Sequence, residues 1–282
     1  MMATLNSSHS ISFIGVGPQK TGSTWLYETL KDHPEVCLPV LVKEVQFFDL
    51  YYQRGLSEYW EYFSHRKGGQ VLGEITPGYF DESEVPKRIH EHFPETKIII
   101  SLRHPVKRAE SLFLHHYRKG RVSRRFSEAI VQMPRIVDSG KYSEHISRWQ
   151  HFFKPEQIKV ILLEDIASSP DQVLREVLEF IGANNNYKPT RLKEKVNKSG
   201  VPKYPLIAKY AAKMVLKLKD YNMHKMVKIG KSLGLNKVYS GGKELPSLSE
   251  EEKLRMLSVF EKDVLFVEEL LERSLPAWKK IY

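Results

Sequence analysis

Residues 17–24, Gly-Pro-Gln-Lys-Thr-Gly-Ser-Thr, combine glycine, lysine and hydroxyl side chains in a pattern that suits an anion-binding loop. A β-branched and aromatic run precedes them, and an amphipathic helical pattern follows through Leu30. Between a strand and a helix N-terminus, unpaired backbone N–H groups and the helix dipole both attract negative charge. Lys20 adds a full positive charge, and Gly22 lets a ligand approach the backbone closely. The segment therefore predicts a phosphate-type site, with an ordinary capped strand-to-helix turn as the alternative.

Arg103 and Ser111 indicate a second anion site. Arg103 follows a continuous apolar run that is typical of a buried parallel strand, and Pro105 suits the first position of a helix. Ser111 lies two turns along that helix. Because arginine offers a forked pair of donors and serine a hydroxyl, the two residues could bind a second phosphate together. A buried arginine paired with a carboxylate is the alternative.

Two segments with acidic residues could also take part in chemistry. Glu44 follows Lys43 directly before two aromatic residues, in a loop flanked by proline. A reactive pair and a solvated charge pair beside a buried phenylalanine are both compatible with this pattern. Another buried strand pattern ends in Glu164 and Asp165, which fits the carboxylate of a Walker B motif. A nucleoside-triphosphate enzyme is therefore a rival interpretation.

Alternating strand and helix patterns must position these residues, and they predict a doubly wound α/β fold. We expect a P-loop-like central parallel sheet flanked by helices, in a single domain over residues 11–282 with a basic helical C-terminal region. Residues 11–203 would form the sheet and the ligand-binding core. Ligands of such folds bind outside the carboxyl ends of the strands. Lys20 and Arg103 both fall at that edge.

The composition limits the functions that the chain could have. With 282 residues, of which 41% are hydrophobic, the chain can bury a sizeable core. No run approaches the roughly 20 apolar residues of a membrane span, and residues 1–10 do not resemble a signal peptide. Cys37 is the only cysteine, which excludes an internal disulfide framework and a cysteine-rich metal site. We expect a cytoplasmic protein, with peripheral membrane contact as a further option.

The net charge of +10 indicates an anionic partner. Residues 203–243 hold ten lysines and a single acidic residue, Asp220. The lysine spacing of four residues opposite an apolar face predicts a basic amphipathic helical segment over residues 204–243. This segment could dock on an anionic membrane or a polyanionic acceptor, or it could be a solvated face over a packed one. The apolar spacing of residues 249–275 predicts a capped amphipathic helix that packs on the sheet.

Several segments together resemble the sulfotransferases that use 3′-phosphoadenosine 5′-phosphosulfate (PAPS). Residues 17–26 are similar to the 5′-phosphosulfate loop of that family, in which, unlike in a Walker A loop, lysine precedes the last glycine. Residues 103–113 are similar to its 3′-phosphate segment, an arginine followed eight residues later by serine. Five more segments look like parts of the heparan-sulfate-type and related bacterial sulfotransferases, at 43–49, 74–80, 142–149, 162–165 and 197–203. The likeness covers about residues 11–203.

The resemblance implies transfer of the sulfuryl group from PAPS to a hydroxyl or amine of a glycan, lipid or small metabolite. Neither a metal nor a nucleic-acid partner is expected. Lys20 would lie at the breaking bond, and the 3′-phosphate would be bound by Arg103 and Ser111 under a late segment at residues 199–203. The implied PAPS-binding residues are Lys20, Thr21, Gly22, Ser23, Thr24, Arg103, Ser111, Ser199, Gly200 and Lys203.

The resemblance also makes Glu44 the candidate general base, because the matching glutamate has that role in the heparan sulfate 3-O enzymes. An acceptor hydroxyl has a high pKa, so a base must take its proton as the new bond forms. His115 and His116 are alternative bases. The chain departs from those enzymes at Gln46, where they have histidine, and at Ile75, where they have lysine. A P-loop kinase or NTPase and a non-catalytic polyanion- or membrane-binding protein are the remaining alternatives.

Overall fold

The computed structural model of the chain describes residues 10–189 and 245–282, and its centre is a five-stranded parallel sheet. The strands lie in the order β2-β3-β1-β4-β5, and every neighbouring pair is parallel. They are β1 (Phe13–Val16), β2 (Val36–Cys37), β3 (Val71–Ile75), β4 (Lys97–Leu102) and β5 (Ile158–Leu162). The predicted parallel sheet flanked by helices is thereby confirmed.

Helices follow each strand or connect the strands, as the alternating patterns predicted. They are α1 (Ser23–Leu30), α2 (Leu56–Glu61), α3 (Val85–His92), α4 (Pro105–Arg118), α5 (Phe126–Gln132), α6 (Arg135–Asp138), α7 (Tyr142–Gln150), α8 (Leu163–Ser168), α9 (Pro170–Ile181), α10 (Glu250–Val259) and α11 (Glu261–Leu270). Within the described ranges, none of these helices is long and apolar enough to cross a membrane.

The described residues divide into two compact units. The sheet unit consists of residues 10–103 and 144–189, and the helical unit of residues 104–143 and 245–282. The strands of the sheet unit share one buried cluster with α1 and α9, because both helices turn their apolar faces towards the sheet. Whether residues 11–282 act as one domain stays a prediction.

The segment that was predicted as one helix over residues 249–275 forms two helices, α10 and α11. Ser249 caps α10 through a capping box with Glu252, as the sequence indicated. The helix stops at Phe260, whose buried ring lies against the backbone of Gly140 in the core of the helical unit. The apolar spacing runs through both helices, so it could not reveal the break.

Two sets of predictions fall outside the described residues. Ser199, Gly200 and Lys203 belong to the segment that was expected to cover the 3′-phosphate. The basic segment at 204–243 was expected to contact a membrane or a polyanion. Their roles, and the cytoplasmic location, stay predictions.

Candidate active site

The loop after β1 is fixed against β4 by Gly17 and Thr21. Gly17 has φ +124, and a Cβ atom at this position would lie 2.4 Å from the carbonyl oxygen of Ser101. Only glycine fits there, for both reasons. The buried Thr21 hydroxyl donates to Pro18 O at 2.7 Å, so it accepts from Ser101 Oγ, also at 2.7 Å. The Thr21 side chain therefore holds the loop in place, and its backbone is what a ligand would contact.

The N-terminus of α1 has the geometry of an anion seat. Lys20 and Gly22 both have positive φ, at 82 and 106, and α1 begins directly afterwards at Ser23. Its N-cap residue is Gly22, which has no side chain that could cap the helix. The first backbone N–H groups of α1 and the positive end of the helix dipole therefore point out of the helix N-terminus, where an anion could bind. A left-handed backbone costs a non-glycine residue about 1–2 kcal/mol, which is typical of a site where the side chain is needed.

Arg103 lies beside this loop, as the parallel sheet predicted. Since β1 and β4 are paired neighbours, their carboxyl ends meet at one edge of the sheet. The half-buried Arg103 donates from Nη1 to Lys20 O at 3.4 Å. Ser111 is half-buried on α4, in the helical unit. Its joint role with Arg103 in binding a phosphate stays a prediction.

Lys43 connects the segment of Glu44 to the N-terminus of α1. Its ammonium group donates to Thr24 Oγ1 at 2.9 Å and to Ser23 Oγ at 3.4 Å. The same Nζ atom is 3.5 Å from Glu44 Oε1, and the two side chains remain 27% and 33% exposed. Glu44 therefore lies close to the proposed anion seat and is accessible to an acceptor. The sequence drew attention to the Lys-Glu pair but did not assign a role to Lys43.

A buried carboxyl group, Glu74 at the end of β3, supports the segment that carries Glu44. Thr76 donates to Glu74 Oε2 at 2.7 Å and accepts from the backbone N–H of Val45 at 3.1 Å. Tyr79 donates to Glu74 Oε1 at 3.5 Å and accepts from the backbone N–H of Phe48 at 3.1 Å. Two chains of hydrogen bonds therefore run from one carboxyl group to the backbone on either side of residue 46.

The pKa of Glu74 is raised to about 7, chiefly by burial and to a smaller extent by the charge of Asp49, while hydrogen bonds from Thr76, Tyr59 and Tyr79 oppose this shift. Tyr59 OH donates to Glu74 Oε1 at 2.9 Å. The same network raises the pKa of both tyrosines well above its ordinary value, chiefly through burial and then through the charge of Glu74. The group is thus a proton-binding element inside the sheet unit.

Replacement of this carboxyl group is expected to change how stability depends on pH. The pKa of Glu74 is higher in the folded chain, at about 7, than its ordinary value of 4.5. Folding therefore binds a proton between these values, and the stabilising contribution of the group, full below pH 4.5, is lost as the pH rises through 7. Relative to Glu74→Gln, the wild-type chain should lose on the order of 3 kcal/mol of unfolding free energy between pH 4.5 and 8.

Urea unfolding of both proteins across this pH range measures the difference, because the other titrating groups are common to both. Equal slopes of unfolding free energy against pH would contradict the raised pKa of Glu74. A difference that grows in the opposite direction would mean that the carboxylate form is the one the fold stabilises.

The remaining predicted residues lie elsewhere in the chain. His115 and His116 are in the last turn of α4, in the helical unit, and His116 is mostly buried. β5 ends at Leu162, so Glu164 and Asp165 lie in the first turn of α8 instead of at a strand end. This position removes the sequence argument for a Walker B carboxylate.

The structure gives Ser101 and Glu74 structural roles that the sequence did not predict. Ser101 is a polar residue within the apolar run of β4, and this exception in a buried strand could have indicated a hydrogen-bonding role. Glu74 belongs to the segment at 74–80, in which the sequence assigned no role to an individual residue.

Known proteins of one enzyme class are similar in sequence to this chain. A family model described as a sulfotransferase domain matches residues 11–204. The human bifunctional heparan sulfate N-deacetylase/N-sulfotransferase 3 is 33% identical over 196 residues, which are 62% of this chain and 22% of that protein. Human heparan sulfate glucosamine 3-O-sulfotransferase 6 is 34% identical over 175 residues, which are 59% of this chain and 51% of that protein. The chain thus spans about a fifth to a half of the length of these relatives.

The fold is also that of a solved sulfotransferase from Alicyclobacillus acidocaldarius. The two structures align with a TM-score of 0.70 at 22% sequence identity, over 96% of this chain and 100% of the other. The similarity extends over almost the whole length of both chains.

Proposed function

Because the chain belongs to the sulfotransferase family, we propose that it transfers a sulfuryl group from PAPS to an acceptor hydroxyl or amine. The observation that carries this proposal is the N-terminus of α1, which begins directly after Lys20 and Gly22, both with positive φ, and has a glycine as its N-cap residue. PAPS supplies sulfur that is bonded to an oxygen of its 5′-phosphate. The acceptor oxygen or nitrogen forms a bond to that sulfur, and the phosphate oxygen keeps the electron pair of the bond that breaks.

The residues of the loop fit the anionic end of this donor. Backbone N–H groups at residues 21–24 would bind the 5′-phosphate, as helix N-termini commonly do. Lys20 would neutralise the charge that grows on the leaving oxygen, which is where electrostatic stabilisation has the largest effect. The positive φ of Lys20 is a strained conformation for a lysine. Such strain is consistent with this role, because the Lys20 side chain must lie at the leaving oxygen.

The acceptor would approach from the side of Lys43 and Glu44. Glu44 takes the acceptor proton, and Lys43 positions this carboxylate by holding Thr24 of the donor loop. Orientation of the two reactants in one site supplies much of the rate, as in phosphoryl transfer. Glu74 acts only through the backbone of the segment and touches neither reactant in this proposal.

A donor with a 3′-phosphate needs a second anion site, which we assign to Arg103 and Ser111 with the segment at 199–203. Calorimetric titration tests this assignment. The product 3′,5′-bisphosphorylated adenosine (PAP) should bind about 10- to 100-fold more tightly than ATP, because a hydrogen bond to a charged group contributes about 1.5–3 kcal/mol. Arg103→Ala should weaken PAP binding about 10- to 100-fold.

Adenosine 5′-phosphosulfate, which lacks the 3′-phosphate, serves as the control ligand for this variant. Its affinity should change less than threefold in Arg103→Ala. If Arg103→Ala weakens both ligands equally, Arg103 does not bind the 3′-phosphate. If ATP binds as tightly as PAP, the chain has a triphosphate site instead.

A further inference from the structure

Exposed aliphatic side chains are concentrated beside Glu44. Val40 is 55% exposed, Leu41 48% and Leu50 64%. Among the described residues of the sheet unit, these three are the only large apolar side chains that are exposed. A single exposed leucine is ordinary on a protein surface. Three within residues 40–50, in a unit that otherwise buries such side chains, indicate a surface that contacts a ligand.

The backbone keeps all three side chains within reach of Glu44. Leu41 precedes Glu44 by three residues, so their Cα atoms are at most about 11 Å apart. Leu50 N–H donates to Gln46 O at 3.1 Å within one helical turn, which keeps the Leu50 Cα about 6 Å from that of Gln46, and Gln46 is only two residues from Glu44. Tyr27 OH donates to Pro39 O at 2.8 Å and fixes the beginning of the segment. A molecule with its hydroxyl at Glu44 can therefore contact these aliphatic groups.

The charges of this segment do not suit a polyanionic acceptor. Residues 38–50 contain one basic residue, Lys43, against Glu44 and Asp49. Lys43 is already engaged by Glu44 and by the N-terminus of α1. The ten lysines and one acid of residues 203–243 account for nine of the ten net positive charges, so the rest of the chain is nearly neutral. A polyanion requires several cations along its path, and the segment beside Glu44 has a net negative charge.

We propose that the acceptor is an uncharged alcohol whose hydrocarbon group packs on Val40, Leu41 and Leu50. This inference rests on the proposed function. We call these three residues the aliphatic rim. The hydroxyl proton goes to the Glu44 carboxylate as the oxygen bonds to sulfur, and the bridging phosphate oxygen leaves with its electron pair. Hydroxylated lipids and alkyl glycosides have this chemistry.

A series of alkyl β-glucosides, from methyl to octyl and below their micelle concentrations, tests this proposal with radiolabelled PAPS. The kcat/KM of the full chain should rise about two- to fourfold per methylene until the rim is covered, because each methylene leaves water on binding. An oligosaccharide of uronic acid and glucosamine with N-sulfate groups serves as the polyanionic comparison. Its kcat/KM should be lower than that of octyl glucoside.

The double variant Leu41→Ser with Leu50→Ser should flatten the dependence on alkyl length. Its kcat/KM for octyl glucoside should fall at least about tenfold, while methyl glucoside turnover and the Kd of PAP stay within about twofold. Val131→Ser is the control variant, because Val131 on α5 is an aliphatic residue with 78% exposure. It should keep the wild-type dependence on alkyl length.

Several results would overturn the proposal. These are a flat alkyl series, PAP binding without transfer to any alkyl glucoside, and preference of the wild-type chain for the sulfated oligosaccharide. Equal loss of PAP and octyl glucoside binding in the double variant would also overturn it, because the rim would then be covered by the chain itself. Failure of PAP to bind the wild-type chain would reject the proposed function as well, and this titration requires no acceptor.

Discussion

Lys20→Ala is expected to lower the kcat of sulfuryl transfer by about three orders of magnitude without unfolding the chain. The residue lies between the turn at Gly17 and the N-terminus of α1, where the charge of the leaving oxygen would develop. Removal of one preorganised donor to such a charge commonly costs 10²- to 10³-fold, and a full positive charge is expected at the upper end. Initial rates with radiolabelled PAPS measure the loss.

Lys20→Gly separates the role of the side chain from its effect on the backbone. The position has φ 82, so alanine keeps the strain of the wild-type backbone and glycine relieves it. The glycine variant should therefore unfold with a free energy equal to that of Lys20→Ala or up to about 1 kcal/mol higher. Both variants should be equally inactive. Activity in either of them above about a tenth of wild type would contradict the role of Lys20.

Glu44→Gln should reduce kcat by about 10²- to 10⁴-fold, the usual contribution of a general base. Glutamine keeps the size of the side chain and loses the proton acceptor. Since Lys43 still donates to Thr24, the donor loop should be unaffected and the Kd of PAP should change less than threefold. The expected signature is thus a loss in kcat with unchanged donor binding, measured by initial rates and calorimetry.

His116→Asn tests the alternative base. His116 lies in the last turn of α4 and is mostly buried, and its replacement should cost less activity than Glu44→Gln. If His116→Asn is the more damaging change at every pH while its PAP affinity is normal, the base is the histidine. Stability of both variants should be compared in the same series, because a buried histidine also contributes to packing.

The parts of the site that the sequence predicted are local. The glycines and Lys20 follow a β-branched run and precede an amphipathic run, and these features together define a strand, a tight turn and a helix start. The apolar run before Arg103 and the proline after it likewise define β4 and α4. Because parallel strands end at a common edge, the placement of Lys20 near Arg103 also followed from the pattern.

The parts that could not be predicted depend on contacts between distant residues. The sequence does not reveal that Lys43 donates to Thr24 or that Val45 N–H donates to Thr76, because the members of each pair are far apart in the chain. The αL conformation of Lys20 also runs against its residue type, which normally avoids positive φ. Phe260 separates α10 from α11 although the apolar pattern is helical on both sides of it, and its ring lies against Gly140, which is 120 residues away in the chain.

Transfer of radiolabelled sulfur by the wild-type chain tests the proposed reaction most directly. The chain is incubated with labelled PAPS, octyl glucoside and other alcohols and amines, in buffer with a metal chelator, and with magnesium and ATP in a parallel reaction. We predict that label appears on an acceptor in an amount equal to the PAP released, with no phosphate released from ATP. Magnesium-dependent ATP turnover, with no label on any acceptor, would contradict the assignment of the loop at Lys20 as a PAPS site.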